Sequence, residues 1–359
     1  MNELNQSNQL NRCSVWQLTE TCNLDFEMLT PLNQSYTVTT ETFDSITDYW
    51  LDPQHNLAWD CLFVVPGWLK VWWDKFAGDQ VSHLCAVRNQ NELIGIAPLM
   101  VQGNTARLMG DPDVCDFLDV IAAPGRGRAV FHNLIPYIQK QGVTHLDIGA
   151  VRADSIVFRD LIAVAKDLSY EIICDPEDVT MVLDLPASWD DYLNQLTGKE
   201  RHEIRRKLRR LNEAAQVSFR VVKDPDGVAK EIGTFLALFK LNRWDKSAFM
   251  SDQRVAFFRE LAVEMAAARI LRLYFLDLDD VPAAAAMCFD YRSTIYLYNN
   301  GYDMRYKSLS VGLLCTVFTI KESIQRGKAR YDFLKGPEPY KRRLGGKPVQ
   351  LYRCQVKLG

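Results

Sequence analysis

Asp332, Glu338 and Tyr340 share one short stretch, YDFLKGPEPYKRRLG, which begins like the end of a buried strand and turns at once into charge. A carboxylate can accept a proton from an attacking nucleophile, and a phenol can give one to a leaving group. Asp332 or Glu338 as base, with Tyr340 as acid, would therefore serve a group-transfer reaction. Lys335 and Lys341 stand beside them and would meet anionic groups of a substrate. A loop capped by a short helix with exposed cations accounts for the same residues equally well. Pro337 and Pro339 fit the start of such a helix, where proline is tolerated.

A second set lies in TIYLYNNGYDMRYKSLSVG. A strand ends at Asn300, Gly301 and Tyr302. A loop carrying Lys307 and Ser308 then leads into a helix that starts near Ser310, Val311 and Gly312. Free N–H groups at a helix N-terminus beside a lysine suit a phosphate or pyrophosphate. The plainer alternative is that Ser308 or Ser310 caps a core helix. A third set is the basic helix GKERHEIRRKLRRL. Ile204, Leu208 and Leu211 form its inward stripe, and Arg205, Arg209 and their neighbours cover the rest. That charge could face an anionic acceptor, a phosphate or an acidic membrane surface, or be a solvated face with Glu200 and Glu203 pairing locally. In LFKLNRW, Arg243 and Trp244 could clamp a carboxylate and stack a ring, or Trp244 could anchor a core.

The elements that must position these residues repeat. HLCAVRN and ELIGIAPLMVQ predict a β-hairpin, ARLMG and DFLDVIA strands, and PGRGRAVFHNLIPYIQKQG a helix. THLDIGA, SIVFRDLIAVAKDLS, YEIIC and TMVLDL continue as strand, helix and two strands. The same order recurs after a helical start at SWDDYLNQL. The expected fold is α/β with mixed sheets (α+β): two tandem units, 36–184 and 185–359, each a mixed, largely antiparallel sheet covered by helices. A flexible segment, 1–35, precedes them.

Composition narrows the options. The chain has 359 residues, 48% hydrophobic and 24% charged, with a formal net charge of -3. No global polycation exists, so DNA is not an expected partner. The cysteines form no C-x-x-C and the histidines are scattered, so neither a disulfide framework nor a metal is expected. No apolar run approaches the roughly 18 residues of a transmembrane span, and the Asn- and Gln-rich start is not a signal peptide. A cytoplasmic protein is expected.

These stretches together resemble the GNAT acyltransferase superfamily. The likeness is to its doubled-domain branch, related to Fem-type transferases and to acetyltransferases of cellulose and exopolysaccharide biosynthesis. It is carried by SWDDYLNQLTGKERHEIRRKLRRL, LFKLNRW, PAAAAMCFDYRSTIYLYNNGYDMRYKSLSVG and YDFLKGPEPYKRRLG, and in the first half by LIGIAPLM, DFLDVIAAP and THLDIGAV. The resemblance implies an acyl-CoA co-substrate, acetyl-CoA or another, lying in a splay between strands at 294–304 and 329–334. Its pyrophosphate would rest on the helix near Ser310, and backbone N–H groups around Asn300, Gly301 and Tyr302 would polarise the thioester. The first domain would be degenerate. The superfamily's phosphate signature, Arg/Gln-x-x-Gly-x-Gly/Ala, is not kept: KSLSVG holds only a glycine near that place. The implied activity moves an acetyl or acyl group to an amine or hydroxyl by direct attack. The acceptor would be a small molecule or glycan precursor: a sugar, a nucleotide-sugar, or an envelope or polysaccharide precursor. Fem-type relatives use aminoacyl-tRNA, so a Fem-like aminoacyltransferase with tRNA as donor is an alternative. A non-catalytic scaffold protein of an exopolysaccharide system is another.

Overall fold

The strands join edge to edge into one sheet rather than two. The computed structural model describes residues 35–242 and 250–359. The expected flexible segment, up to residue 34, and the pair Arg243 and Trp244 lie outside the described residues.

In the first half, β1 (Tyr36–Thr40), β2 (Val81–Asn89), β3 (Glu92–Gln102) and β4 (Thr105–Leu108) pair antiparallel in sequence order. Helices α1 (Phe43–Leu51) and α2 (Pro66–Phe76) sit between β1 and β2. A short β5 (Ile121–Ala122) and helix α3 (Gly127–Lys140) lead to β6 (His145–Arg152), which runs parallel to β4. A helix π-wound over Val157–Leu161 continues as α4 (Ile162–Asp167) and leads to β7 (Glu171–Asp184).

The second half repeats the order. It runs α5 (Trp189–Gln195), α6 (Gly198–Ala214), β8 (Val217–Val222), α7 (Pro225–Asn242) and α8 (Asp252–Ala267). Strands β9 (Leu271–Leu278), β10 (Val281–Tyr291) and β11 (Thr294–Tyr302) follow as a meander. Helix α9 (Val311–Gln325) then crosses to β12 (Arg330–Lys335), parallel to β11, and α10 (Pro339–Arg343) precedes β13 (Lys347–Lys357). Strands β9 and β10 are buried on both faces, which is why they read as near-continuous apolar runs.

The strand order is β1-β2-β3-β4-β6-β13-β7-β12-β11-β10-β9-β8, with β5 attached to β3. The last strand thus inserts between β6 and β7 of the first half, and β7 bridges to β12 of the second. The expected boundary at 184/185 falls inside this continuous sheet. YEIIC and TMVLDL, expected as two strands, are one strand, β7, because β13 pairs along its whole length. Cys174 and Cys354 face each other in that pairing and form a disulfide, a bond between residues too far apart in sequence for spacing to signal.

Two buried clusters flank the sheet. One gathers α2, α3, α7 and α8 with Tyr296, Tyr298 and Leu334. The other gathers α9 and the inner side of α6 with Leu297, Tyr331 and Phe333. The predicted strand DFLDVIA is mostly irregular, and only Ile121 and Ala122 pair. Its Asp119 carboxylate accepts N–H groups of Val120, Ile156 and Val157 instead, so it caps the start of the π-wound helix that leads into α4 rather than joining a ladder.

Gly301 shows how tightly the second half closes. A Cβ there would collide with the backbone of α7 at Leu238 and Phe239. Backbone cannot swing aside as a side chain can. Gly301→Ala is expected to cost about 1–3 kcal/mol, read as a Tm lower by several degrees.

Candidate active site

Strands β11 and β12 pair at only three positions: Thr294 with Arg330, Ile295 with Tyr331, and Tyr296 with Asp332. Beyond these they part. Two features of the sequence drive them apart. First, β11 carries a bulge: Asn299 opposes Met287 and Leu297 opposes Cys288, leaving Tyr298 as the extra residue. A bulge bends its strand and leaves one residue out of the ladder. Second, β12 turns sharply after Phe333. Leu334 takes φ 62°, and Asp332 Oδ1 accepts its N–H at 2.8 Å. The buried Lys341 ammonium then holds the exit loop by donating to the carbonyls of Leu334 (3.3 Å), Lys335 and Gly336 (3.1 Å).

On one face of the splay lies a cavity of about 500 Å³. Asp332, Tyr296, Thr294, Arg292 and Arg330 line it from the second half, and Phe117, Asp119, Arg152 and Ser155 from the first. Asp332 is 2% exposed. Arg152 reaches it across the halves at 3.3 Å, lies over the Phe117 ring, and also pairs with Asp154 at 3.1 Å. Burial pushes the Asp332 carboxyl up to about 6, with the nearby Asp116 adding to the rise and Arg152 and the Leu334 N–H opposing it. The result is a carboxylate poised to exchange a proton near neutral pH. Burial likewise raises Asp119 to about 6, against its three peptide N–H groups.

On the opposite face stands helix α9. Alternation along β12 turns Tyr331 and Phe333 to this side and Asp332 to the cavity. Ser310 occupies the N-cap position with φ 59°, but its hydroxyl does not cap the helix. It accepts a hydrogen bond from Lys207 Nζ at 2.6 Å. A helix N-terminus without a side-chain cap, with an ammonium held against it, is a site for an anion. Tyr340 packs edge-on to Phe333, centroids 6.4 Å apart, and its hydroxyl hydrogen-bonds the Asn300 side chain. Burial, helped by Glu338, holds its phenol protonated well above the usual range, against the Asn300 bond.

The structure separates residues that the sequence grouped. Asp332 and Tyr340 stand on opposite faces of β12, one at the cavity and one on the α9 side. Glu338, expected beside them as a base, sits half exposed in the turn and pairs with Lys341 at 2.8 Å. Lys341, expected to meet a substrate anion, is turned inward and used up on loop carbonyls. Lys335, expected in the same role, donates its N–H to Asp116 (2.9 Å) and its Nζ to Pro112 O (3.2 Å). Asn300 and Tyr302 border the α9 side, whereas Gly301 meets α7. Gly312 packs against the Tyr302 ring, where a Cβ would clash. Val311 is fully buried, and Lys307 and Ser308 are exposed in the turn before α9. Arg205 and Arg209 are on the exposed face of α6, the latter 3.7 Å from Glu213, and neither lines the cavity.

Arg152, Asp119, Arg292, Arg330 and Tyr296 were not singled out from the sequence. A lone charge inside an apolar strand, such as Asp119 between Leu118 and Val120, was the available signal, because such a charge is costly unless partnered.

Comparison with known proteins bears on the fold. Residues 198–342 match the family model described as an acetyltransferase (GNAT) domain. The match runs from α6 through α10 and stops before β13. No curated protein matches the chain by sequence. Among solved structures, FemX is similar over 88% of this chain and 96% of its own, with TM-score 0.59 and 11% identity. A conserved protein of unknown function from Bacteroides thetaiotaomicron covers 90% and 100%, at TM-score 0.57 and 14% identity. L-PGS from Bacillus licheniformis covers 81% and 90%, at TM-score 0.51 and 10% identity. At these identities the likeness is one of fold.

Proposed function

We propose that this chain is a GNAT-type acyltransferase, as its acetyltransferase (GNAT) domain match over residues 198–342 and its FemX-like fold support, and that it moves an acyl group from acyl-CoA to an amine or hydroxyl across the β11–β12 splay. The observation that carries this reading is the two-sided splay itself. A proton-accepting carboxylate, Asp332, faces a cavity on one side, and an anion-ready helix N-terminus with Lys207 and Tyr340 stands on the other.

Acyl-CoA supplies a thioester. The residues present fit it in part: the uncapped start of α9 and Lys207 offer an anion a seat, although Ser310 stands where the phosphate signature has its first glycine and only Gly312 is kept. The free edge of β11 beyond Tyr296 offers peptide groups to an extended amide chain, as a sheet edge does to a peptide. The bulge at Tyr298 stands at the mouth of the splay, where its unladdered backbone is available to the carbonyl oxygen as charge develops. This is slightly upstream of the N–H groups expected at Asn300, Gly301 and Tyr302. From the cavity, Asp332 takes the nucleophile's proton as the new bond to the carbonyl carbon forms. Tyr340 gives its proton to the sulfur as the C–S bond breaks. The acceptor belongs in the cavity, whose size suits a small molecule or the reactive end of a glycan or envelope precursor.

The test is thiol release from acetyl-CoA in the presence of a panel of amines and sugars, with wild type and Lys207→Met. Acceptor-dependent release is expected, and Lys207→Met is expected to raise the donor KM about tenfold, as loss of one charge-assisted contact would. The exposed Arg205, Arg206, Arg209 and Arg210 on α6 favour a second reading, an aminoacyl-tRNA donor. No release from any acyl-CoA, together with salt-sensitive tRNA binding, would select it.

A further inference from the structure

The cavity contains three arginines, and their partners differ. Arg152 is shared between Asp154 and Asp332 and lies on the Phe117 ring. Arg292 pairs with Asp60 at 3.0 Å and donates to the Trp59 carbonyl at 3.0 Å. Arg330 has no ion pair among the described residues. Its cross-strand neighbour on β7 is Asp184, and among the described residues no ion pair joins the two. The remaining carboxylate of the lining, Asp119, is already occupied by three peptide N–H groups. One guanidinium is thus left uncompensated at the open end of a cavity whose buried end is Asp332.

Arg330 and Asp332 are two residues apart on β12, so both side chains leave the same face, with Cα atoms about 7 Å apart. We propose that Arg330 is the specificity residue for an acceptor that carries an anionic group, carboxylate or phosphate, a few bonds from its nucleophile. This rests on the acyl-transfer reading above and adds the acceptor's class to it. The planar guanidinium binds such an oxyanion through two parallel hydrogen bonds. The anion stays at the exposed end on Arg330 while the amine reaches inward to Asp332. The cavity thereby orients the acceptor, with its nucleophile toward the splay and its charge toward solvent.

The experiment uses the full chain with acetyl-CoA and matched acceptor pairs: 4-aminobutyrate against 4-aminobutyramide, and phosphoethanolamine against ethanolamine. Wild type is expected to prefer the anionic member of at least one pair by about tenfold or more in kcat/KM, mostly through KM. The two pairs tell carboxylate from phosphate. Arg330→Ala is expected to erase that preference, lowering kcat/KM for the anionic acceptors about tenfold more than for the neutral ones, and Arg330→Lys to restore it only in part. A wild type without preference, or a preference that survives Arg330→Ala, overturns the proposal. Transfer that is abolished by Asp332→Asn yet indifferent to Arg330 sinks this inference and leaves the acyl-transfer reading standing. If no acceptor of either kind releases thiol, this inference falls, while the wider panel of acyl-CoAs, amines and sugars decides the acyl-transfer reading.

Discussion

Asp332→Asn is expected to lower kcat for acyl transfer by about 10²- to 10⁴-fold, the range for losing a general base. The asparagine keeps the shape of the side chain, and its oxygen can still accept the Leu334 N–H that sets the turn out of β12. Arg152 keeps Asp154. The proposed donor site on the α9 face is untouched, so the donor KM is expected to stay within about twofold of wild type, a shift of only a few tenths of a kcal/mol. Stability gives an independent check. Burial raises the folded pKa of Asp332 to about 6, above that of an unfolded chain. Its contribution to folding is therefore fully present below the unfolded value and is lost as pH rises through about 6. At pH 7 the wild type holds a buried, ionised carboxylate that the neutral asparagine does not. The variant's Tm at pH 7 is expected to equal or exceed that of wild type while its activity collapses. A parallel loss of Tm and activity would mark Asp332 as structural.

Tyr340→Phe is expected to lower kcat by about 10²-fold, the low end for a general acid, because a thiolate leaves readily on its own. The ring packing on Phe333 survives, and the loss of the hydroxyl's bond to Asn300 costs about 1 kcal/mol of stability. The effect should depend on the leaving group. With an acetyl thioester of a more acidic thiol, which departs without protonation, the variant should approach the wild-type rate. Equal losses with both donors would show that Tyr340 does not protonate sulfur. The acidic limb set by Asp332 should remain, since the two groups stand on opposite faces of β12.

The repeated order of elements was legible because each carries its own period, from the apolar stripe of α9 to the buried runs of β9 and β10. Asp332 was legible as a charge inside an apolar strand. In the folded strand, alternation of Tyr331, Asp332 and Phe333 sets the aspartate on the face opposite its neighbours. What the local pattern could not say is which face α10 would return to, and α10 carries Tyr340 to the Phe333 side. Nor does a run such as YKRR say which cation turns inward; the carbonyls around the Leu334 turn select Lys341. The insertion of β13 between β6 and β7 is a pairing across most of the chain, invisible to any local window. Arg152 joins the site for the same reason: it lies far from Asp332 in sequence and reaches it only because the sheet is continuous.

The most direct test of this account is the pH dependence of kcat/KM for acceptor-dependent thiol release, between pH 5 and 8, in wild type and Asp332→Asn. A base must be ionised to act, so activity should rise with pH through an apparent pKa near 6, distinct from any limb due to an amine acceptor near 9 to 10. This limb is expected in wild type and, at a far lower rate, absent in Asp332→Asn. A variant that keeps both the rate and the limb near pH 6 would contradict it.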